Sequence, residues 1–363
     1  MLTKLSTSHN QTMIPKNFFS NSQFSSDFPN SLPPVAKPSP EFYAIFSQKE
    51  ILDLIRILEL TKEIPLKYSY KGRGAKIWNN FYQKYIIPKW FQKTNVEIDL
   101  LQKNFEYING SYQNSSQVNI VDVGAGNSYP VKNIIAQLNK LGRINKYIAL
   151  DISQELLNLS KANISKWFPV LQFDSCTIDI ENSSIPPEIL LHSTNENIAN
   201  IFLHLGVTIG NHQNRSKVLQ NLRNTMDKKD LLVFTNEIGS NSNWNGQVRG
   251  GCKYHVDGIY TWIKDNIGIR SEDCELVRKY DSQTDSITAS IKFNQSYTLS
   301  FTQLGIDQNL EFAQNEEIVI WRHHKYEIPE MIQELEKAGL QLVHHSRNQY
   351  SSHIMAICQV NNS

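Results

Sequence analysis

Between about residues 100 and 240 the chain alternates short apolar runs with segments of helical period, and few folds accept that alternation. The runs are 120–123, 147–150, 175–178, 201–205 and 231–234, and between them 131–141, 155–166 and 215–226 repeat apolar residues at three- and four-residue spacing. Such spacing marks helices with one buried stripe. Strands separated by helices make βαβ units, hence a parallel sheet covered by helices on both faces. Ligands on these sheets sit beyond the carboxyl ends of the strands, so the residues that close each run are where chemistry is sought.

The flanks have a different character. Residues 1–40 are rich in Ser, Asn and Pro and end in NSLPPVAKPSP; they bury too little apolar surface to offset ordering entropy, so a disordered tail is expected. Next, EILDLIRILELTKEI sets Ile51, Leu52, Ile55, Leu58 and Leu60 at helical spacing, and an aromatic stretch, KYSYKGRGAKIWNNFYQKYIIPKWF, follows. From 245 to 325 the pattern turns to antiparallel strands, as in SITASIKFNQSYTLSF and EIVIWRHHKY, preceded by KYHVDGIYTWI. The end returns to a helix stopped at Gly339 and a closing hairpin. The expected class is α/β: a Rossmann-like sheet from 91–244 plus 326–363, with a second, smaller α+β domain from 41–90 plus 245–325.

Composition narrows the partners. The 36 basic and 35 acidic residues nearly cancel, so no strong field draws in nucleic acid or an anionic membrane. No run of about 18 apolar residues occurs, and the first residues lack the apolar stretch of a signal peptide. Cys176, Cys252, Cys274 and Cys358 form no C-x-x-C pair, which suggests neither a disulfide framework nor a zinc site. A cytoplasmic monomer acting on a small molecule, without a metal, is expected.

The first run continues as VNIVDVGAGNS (118–128). Gly124 and Gly126 permit positive φ and remove the side chains that would keep a ligand from the backbone. A dinucleotide fingerprint needs a small residue at 129, where Tyr129 stands, and a phosphate loop needs a G-K-[ST] ending that is absent. Asp122 at the start of the loop suits a cofactor bearing an ammonium and a sulfonium, S-adenosylmethionine (SAM). The second strand ends in Asp151, able to accept ribose hydroxyls, although an N-cap for the following helix is its ordinary role. After the third strand Asp179 is placed to accept the adenine amino group and Ile180 to pack on the ring. After the fourth come Gly206 and Asn211 in GVTIGN (206–211); Asn211 either meets the substrate or caps the helix near Arg215.

With these residues in view, the chain resembles the histidine Nα-methyltransferases of ergothioneine biosynthesis, a family that includes an N-methyltransferase of dimethylallyltryptophan from ergot alkaloid pathways. GVTIGN is close to that family's G-S-T-I-G-N, SYKGRGAKIW (69–78) is similar to F-Y-D-x-x-G-S-x-L-F, and FAQNEEIVIW (312–321) is similar to F-x-x-G-E-x-I and its following strand. The resemblance covers nearly everything after residue 50. It implies a SAM-dependent enzyme in which Gly124, Asp151, Asp179 and Ile180 contact the cofactor, with no metal. It further implies that Asn211, Tyr70 and Tyr254 grip the amino-acid end of the substrate, Asn211 and Tyr70 orienting its amine, and that Trp78 takes the place of a pocket Phe.

The departures carry information as well. A glutamate and a serine that select imidazole in that family are here Trp321 and His323. An indole offers mainly apolar surface and one donor, which argues for a bulkier, aromatic amino acid or amine in place of histidine. Aromatic residues at 78, 90, 254, 260, 262 and 321 are candidates for that pocket, with the protein core as their competing role. Pro130 replaces a lysine near the cofactor, with Lys132 a candidate substitute. His323 and His324 alternate on a strand, so only one can face the pocket and the other is expected in solvent. Competing functions are O-methylation of a carboxylate or hydroxyl, Nα-methylation of histidine itself, and an inactive SAM-binding protein.

Overall fold

The computed structural model describes residues 33–87, 96–112, 117–190, 198–246 and 252–361. Most of the expected disordered tail lies outside them, but 33–40 do not belong to such a tail. Val35–Ala36 form strand β1, paired in parallel with Thr298 and Leu299, and Ser39 caps the helix Pro40–Ile45 by accepting from the Phe42 N–H. Backbone pairing with residues some 260 positions away orders a segment whose own side chains bury little. The next helix, Gln48–Thr61, starts with a reciprocal Ser47–Glu50 capping box. Its buried stripe is Ile51, Leu54, Ile55 and Leu58, whereas Leu52 and Leu60, expected on that stripe, are exposed.

Along the chain follow β2 (Gln117–Val123), β3 (Ile144–Asp151), β4 (Gln172–Thr177), β5 (Ile198–His204) and β6 (Leu231–Glu237). A second set comprises β7 (Cys274–Asp281), β8 (Ser286–Phe293), β9 (Tyr297–Phe301), β10 (Gln308–Phe312) and β11 (Glu317–His323), and the chain closes with β12 (Leu340–Arg347) and β13 (His353–Val360). Seven strands form one sheet in the order β12-β13-β6-β5-β2-β3-β4. β2 to β6 run parallel, and β13 is antiparallel to β6. This is the expected Rossmann-like sheet. Its order reverses direction at β2, between β3 and β5, which is the switch point where a crevice opens beyond the strand ends.

Val118, Ile120, Val121 and Val123 of β2 are all buried, because helices cover both faces. Each such side chain contributes about 1.5–3 kcal/mol by leaving water. Two apolar clusters result, one on each face, containing Ile120 and Leu203 on one side and Val121 and Phe202 on the other. A third cluster belongs to the second layer. It joins Ile51, Leu58 and Tyr68 from the first helices to Ile259 and Trp262 of the helix Cys252–Ile267 and to Ile291 and Ile320 of the later strands. Those strands split into two three-stranded sheets, β11-β8-β7 and β1-β9-β10.

The two layers meet where β11 approaches the 3₁₀ turn Thr208–Asn211. The His324 N–H donates to Gly210 O (2.8 Å), and Asn236 Nδ2 donates to His324 O (2.9 Å). A Cβ on Gly210 would stand 2.4 Å from that same carbonyl oxygen of His324, so only glycine lets the turn lie against β11. The second glycine of GVTIGN therefore serves close packing.

Candidate active site

One cavity of about 230 Å³ opens at the switch point, and nearly all the expected site residues line it: Asp122, Gly124, Gly126, Asp151, Asp179, Ile180, Gly206 and Asn211 from the large sheet's side, Tyr70, Trp78, Trp321 and His323 from the second layer. Tyr254 does not. It is 50% exposed and stacks on Tyr85 at 4.5 Å, while its neighbour His255 faces the cavity, stacked on Phe81. Neighbours on a helix point about 100° apart, so a register one residue off exchanges cavity for solvent.

The loop after β2 turns at Gly124 (φ 78°) and Gly126 (φ 52°). Its N–H groups are anchored to β3: Gly124 and Ala125 donate to Leu150 O (2.8 and 3.0 Å), and Gly126 donates to Asp151 Oδ2 (2.9 Å). The other Asp151 oxygen accepts from the Ser153 N–H (3.0 Å). Ser153, not Asp151, caps the helix Gln154–Trp167, and Asn214, not Asn211, caps the helix Arg215–Thr225. The ordinary capping roles of both residues are thus taken by neighbours. Trp78 seals the loop from above, since a Cβ on Gly126 would come within 2.4 Å of its ring, and it stacks on Tyr82.

Burial sets the charge state of the acids. Desolvation pushes the Asp122 carboxyl up to about 7, aided by the nearby Asp151 and opposed by a hydrogen bond from the Tyr147 hydroxyl (2.7 Å). Burial likewise raises Asp151 to about 6, against hydrogen bonds from the Gly126, Ser153 and Ile152 backbone. Asp179 is less enclosed, held by Asn182 Nδ2 (2.9 Å) and near Lys67 Nζ (3.9 Å).

On the opposite wall Trp321 and His323 point the same way along β11, ring centroids 6.0 Å apart. Arg322 between them faces away and is clamped by Glu63, Nε donating to Oε1 at 2.8 Å. A buried pair of this kind costs about 3–5 kcal/mol to break from one side, which fixes the roll of β11. His324 is not in solvent, contrary to expectation: it is buried on the other face, its Nδ1 donating to Asp285 O (2.7 Å) and its Nε2 2.9 Å from Glu330. Lys132 does not replace the missing lysine; its Nζ lies over the Trp167 ring, away from the cavity. Of the remaining candidate aromatics, Trp262 is core, Tyr260 packs against that core, and Trp90 lies outside the described residues.

Several lining residues went unread in the sequence: Phe81, Tyr82, His204, Glu237, His255 and Lys325. Glu237 had a signal, a carboxylate closing a parallel strand, but the run was expected to stop at Phe234. Among the described residues no group of three or more His, Cys, Asp or Glu is arranged to hold a metal ion.

The glycine cradle, the acids beyond neighbouring strands and the buried, unpartnered Nε2 of His204 fit SAM, and the fold and site define a SAM-dependent methyltransferase. A family model described as histidine-specific methyltransferase, SAM-dependent, matches residues 48–243 and 261–360, and the chain belongs to that family. Ergothioneine biosynthesis protein 1 of Neurospora crassa is 26% identical over 178 residues, a match that spans 49% of this chain and 19% of that protein. A SAM-dependent methyltransferase from Clostridium acetobutylicum aligns at a TM-score of 0.43 with 12% identity, covering 79% of this chain and 99% of that one. Magnesium protoporphyrin IX methyltransferase from Synechocystis, solved with bound SAH, aligns at 0.43 with 10% identity, covering 81% and 98%.

The raised carboxyls give a pH dependence with a definite sign. Below about pH 6 both Asp151 and Asp122 hold protons in the free protein. If hydroxyl and ammonium donors of a ligand meet these acids they require the charged carboxylates, so binding would expel those protons and affinity would rise with pH until both acids are ionised. SAH affinity by titration calorimetry is expected to strengthen about tenfold or more between pH 5 and 8, with proton release at pH 6 visible as a buffer-dependent heat. A flat profile would mean these acids do not meet the ligand.

Proposed function

We propose that the protein N-methylates the amino group of a bulky or aromatic amino acid, or of an amine derived from one, using 41–90 with 245–325 as substrate domain and 91–244 with 326–363 as cofactor domain. The observation that carries this reading is the aromatic lining of the cavity by Trp78, Phe81, Tyr82 and Trp321; by the resemblance, Trp321 takes the place of the carboxylate that selects imidazole. Asn211 and Tyr70 on the same cavity supply an amide and a phenol for the amino-acid end. Bound SAM would supply an electrophilic methyl group, held by Asp151, Asp179, Ile180 and the glycine loop. The protein's part is to align a neutral amine with that methyl and to exclude water; enclosure by aromatic side chains favours the uncharged amine.

Histidine is the second reading. The family's description favours it, and so does Glu237, a carboxylate on the cavity wall, although His323 and Lys325 already engage that carboxylate. Calorimetry with SAH present separates the two: tryptophan and tryptamine are expected to bind at least about tenfold more tightly than histidine, a gap of about 1.4 kcal/mol. Tighter histidine binding overturns the aromatic reading. Mass spectrometry of the product before and after base hydrolysis distinguishes an amine from an ester, and absence of thermal stabilisation by saturating SAM would point to a protein that has lost the cofactor. A cytoplasmic monomer is part of the proposal; among the described residues no helix is long and apolar enough to cross a membrane.

A further inference from the structure

The polar groups of the cavity that the expected site residues do not account for meet at one point. Glu237 closes β6, and each of its oxygens faces a different partner: His323 Nε2 at 3.1 Å from Oε2, and Lys325 Nζ at 3.4 Å from Oε1. Burial alone would push this carboxyl up, but the hydrogen bond from His323, the charge of that ring when it is protonated, and the charges of Lys325 and His353 hold it down at about 2. An ionised carboxylate only accepts, so Nε2 is the imidazole nitrogen that carries hydrogen. Nδ1 lies 3.4 Å from the Oδ1 of Asn211, to which it donates only while it carries a proton; in the neutral ring with hydrogen on Nε2, Nδ1 is bare and the two atoms are both acceptors. Two acceptors this close on a cavity wall suit a partner that can donate to both at once, and a primary ammonium does so.

We infer that His323 is the catalytic base that removes the proton from the substrate's ammonium group, with Glu237 as its positioning residue; this rests on the amine reading above. Nδ1 takes a proton as one N–H bond of the ammonium breaks, and the bonding pair stays on the substrate nitrogen. That pair forms the N–C bond to the methyl group while the C–S pair of SAM passes to sulfur, giving SAH and a methylated ammonium. The extracted proton remains on the imidazolium, neutralised by Glu237, until it leaves to water. No other histidine on the cavity suits this task. Burial drives His204 down to about 3 and His255 to about 4, too weak as bases for an ammonium, and His212 is turned to Glu181 through Nδ1 (3.2 Å).

Two readouts test the assignment. Nitrogen NMR of ¹⁵N-histidine-labelled enzyme saturated with SAH at high pH, with His323 assigned by its loss in His323→Gln, is expected to find hydrogen on Nε2 and none on Nδ1. The opposite tautomer overturns the proposal whatever the acceptor is. With L-tryptophan and L-histidine as acceptors, His323→Gln is expected to lower kcat/KM at neutral pH by about 100-fold or more and to abolish the wild-type acidic limb. In the same nitrogen spectrum Glu237→Gln should spread the hydrogen over both ring nitrogens, since the carboxylate that fixes it on Nε2 is gone. SAH affinity should be unchanged in both variants, which separates this role from misfolding. An N-methyl product with an unmoved limb overturns the proposal alone; a base-labile ester overturns the amine reading and the proposal with it.

Discussion

Asn211→Ala is expected to lower kcat by about a thousandfold while SAH affinity stays within about twofold. The side chain lines the cavity beside His323 and caps no helix. Its neighbours hold the turn without it: the His324 N–H binds Gly210 O, and the Gly206 N–H donates to Thr235 Oγ1. Removing the amide therefore leaves the backbone in place and, on the proposed function, takes away one oriented contact to the reacting amine. A hydrogen bond to a charged or reacting group accounts for about 1.5–3 kcal/mol, and loss of a defined attack geometry costs about a further hundredfold. Single-turnover rates and SAH calorimetry on the variant check this. A parallel loss of SAH binding would mean that Asn211 supports the fold of the cofactor site.

How much of this was legible follows from where the information lies. The large sheet announces itself locally, because each strand is a continuous apolar run and each helix a periodic one. The glycine loop and the acids at 122, 151 and 179 sit at run ends, so reading the runs located them. Strand ends were read short, however: β6 extends to Glu237 and carries a cavity-lining acid beyond the apolar run. A strand's last residues can be polar once they reach a cavity, and periodicity cannot register them.

The second layer was less readable because its order is non-local. Nothing around Val35 signals pairing with Thr298, and nothing in the alternation of 274–323 tells one five-stranded sheet from two of three strands completed by β1. Tyr254 illustrates a different limit. Matching a tyrosine to a tyrosine ignored the helix beneath it, whose rotation puts His255 on the cavity. His323 shows the converse: alternation on β11 allowed only one of two adjacent histidines to face the site, and geometry chose the one backed by Glu237.

The second large effect is expected at Asp151. Asp151→Ala should weaken SAM and SAH binding by at least about 100-fold, measured by calorimetry at pH 8, where the wild-type carboxylate is ionised. Two losses combine. On the proposed cofactor role, charge-assisted bonds to a pair of ribose hydroxyls are each worth about 1.5–3 kcal/mol, and the Gly126 N–H loses the acceptor that sets the loop's second positive-φ turn. Asp151→Asn separates them. Its amide oxygen can still accept from Gly126, so the loop keeps its shape while the charge is gone, and an intermediate loss of about tenfold is expected. The asparagine variant should also lose the Asp151 part of the pH dependence between pH 5 and 7, leaving only the rise due to Asp122. Should both variants bind SAH as the wild type does, the acid serves only to shape the loop, and the ribose must be held elsewhere in the cavity.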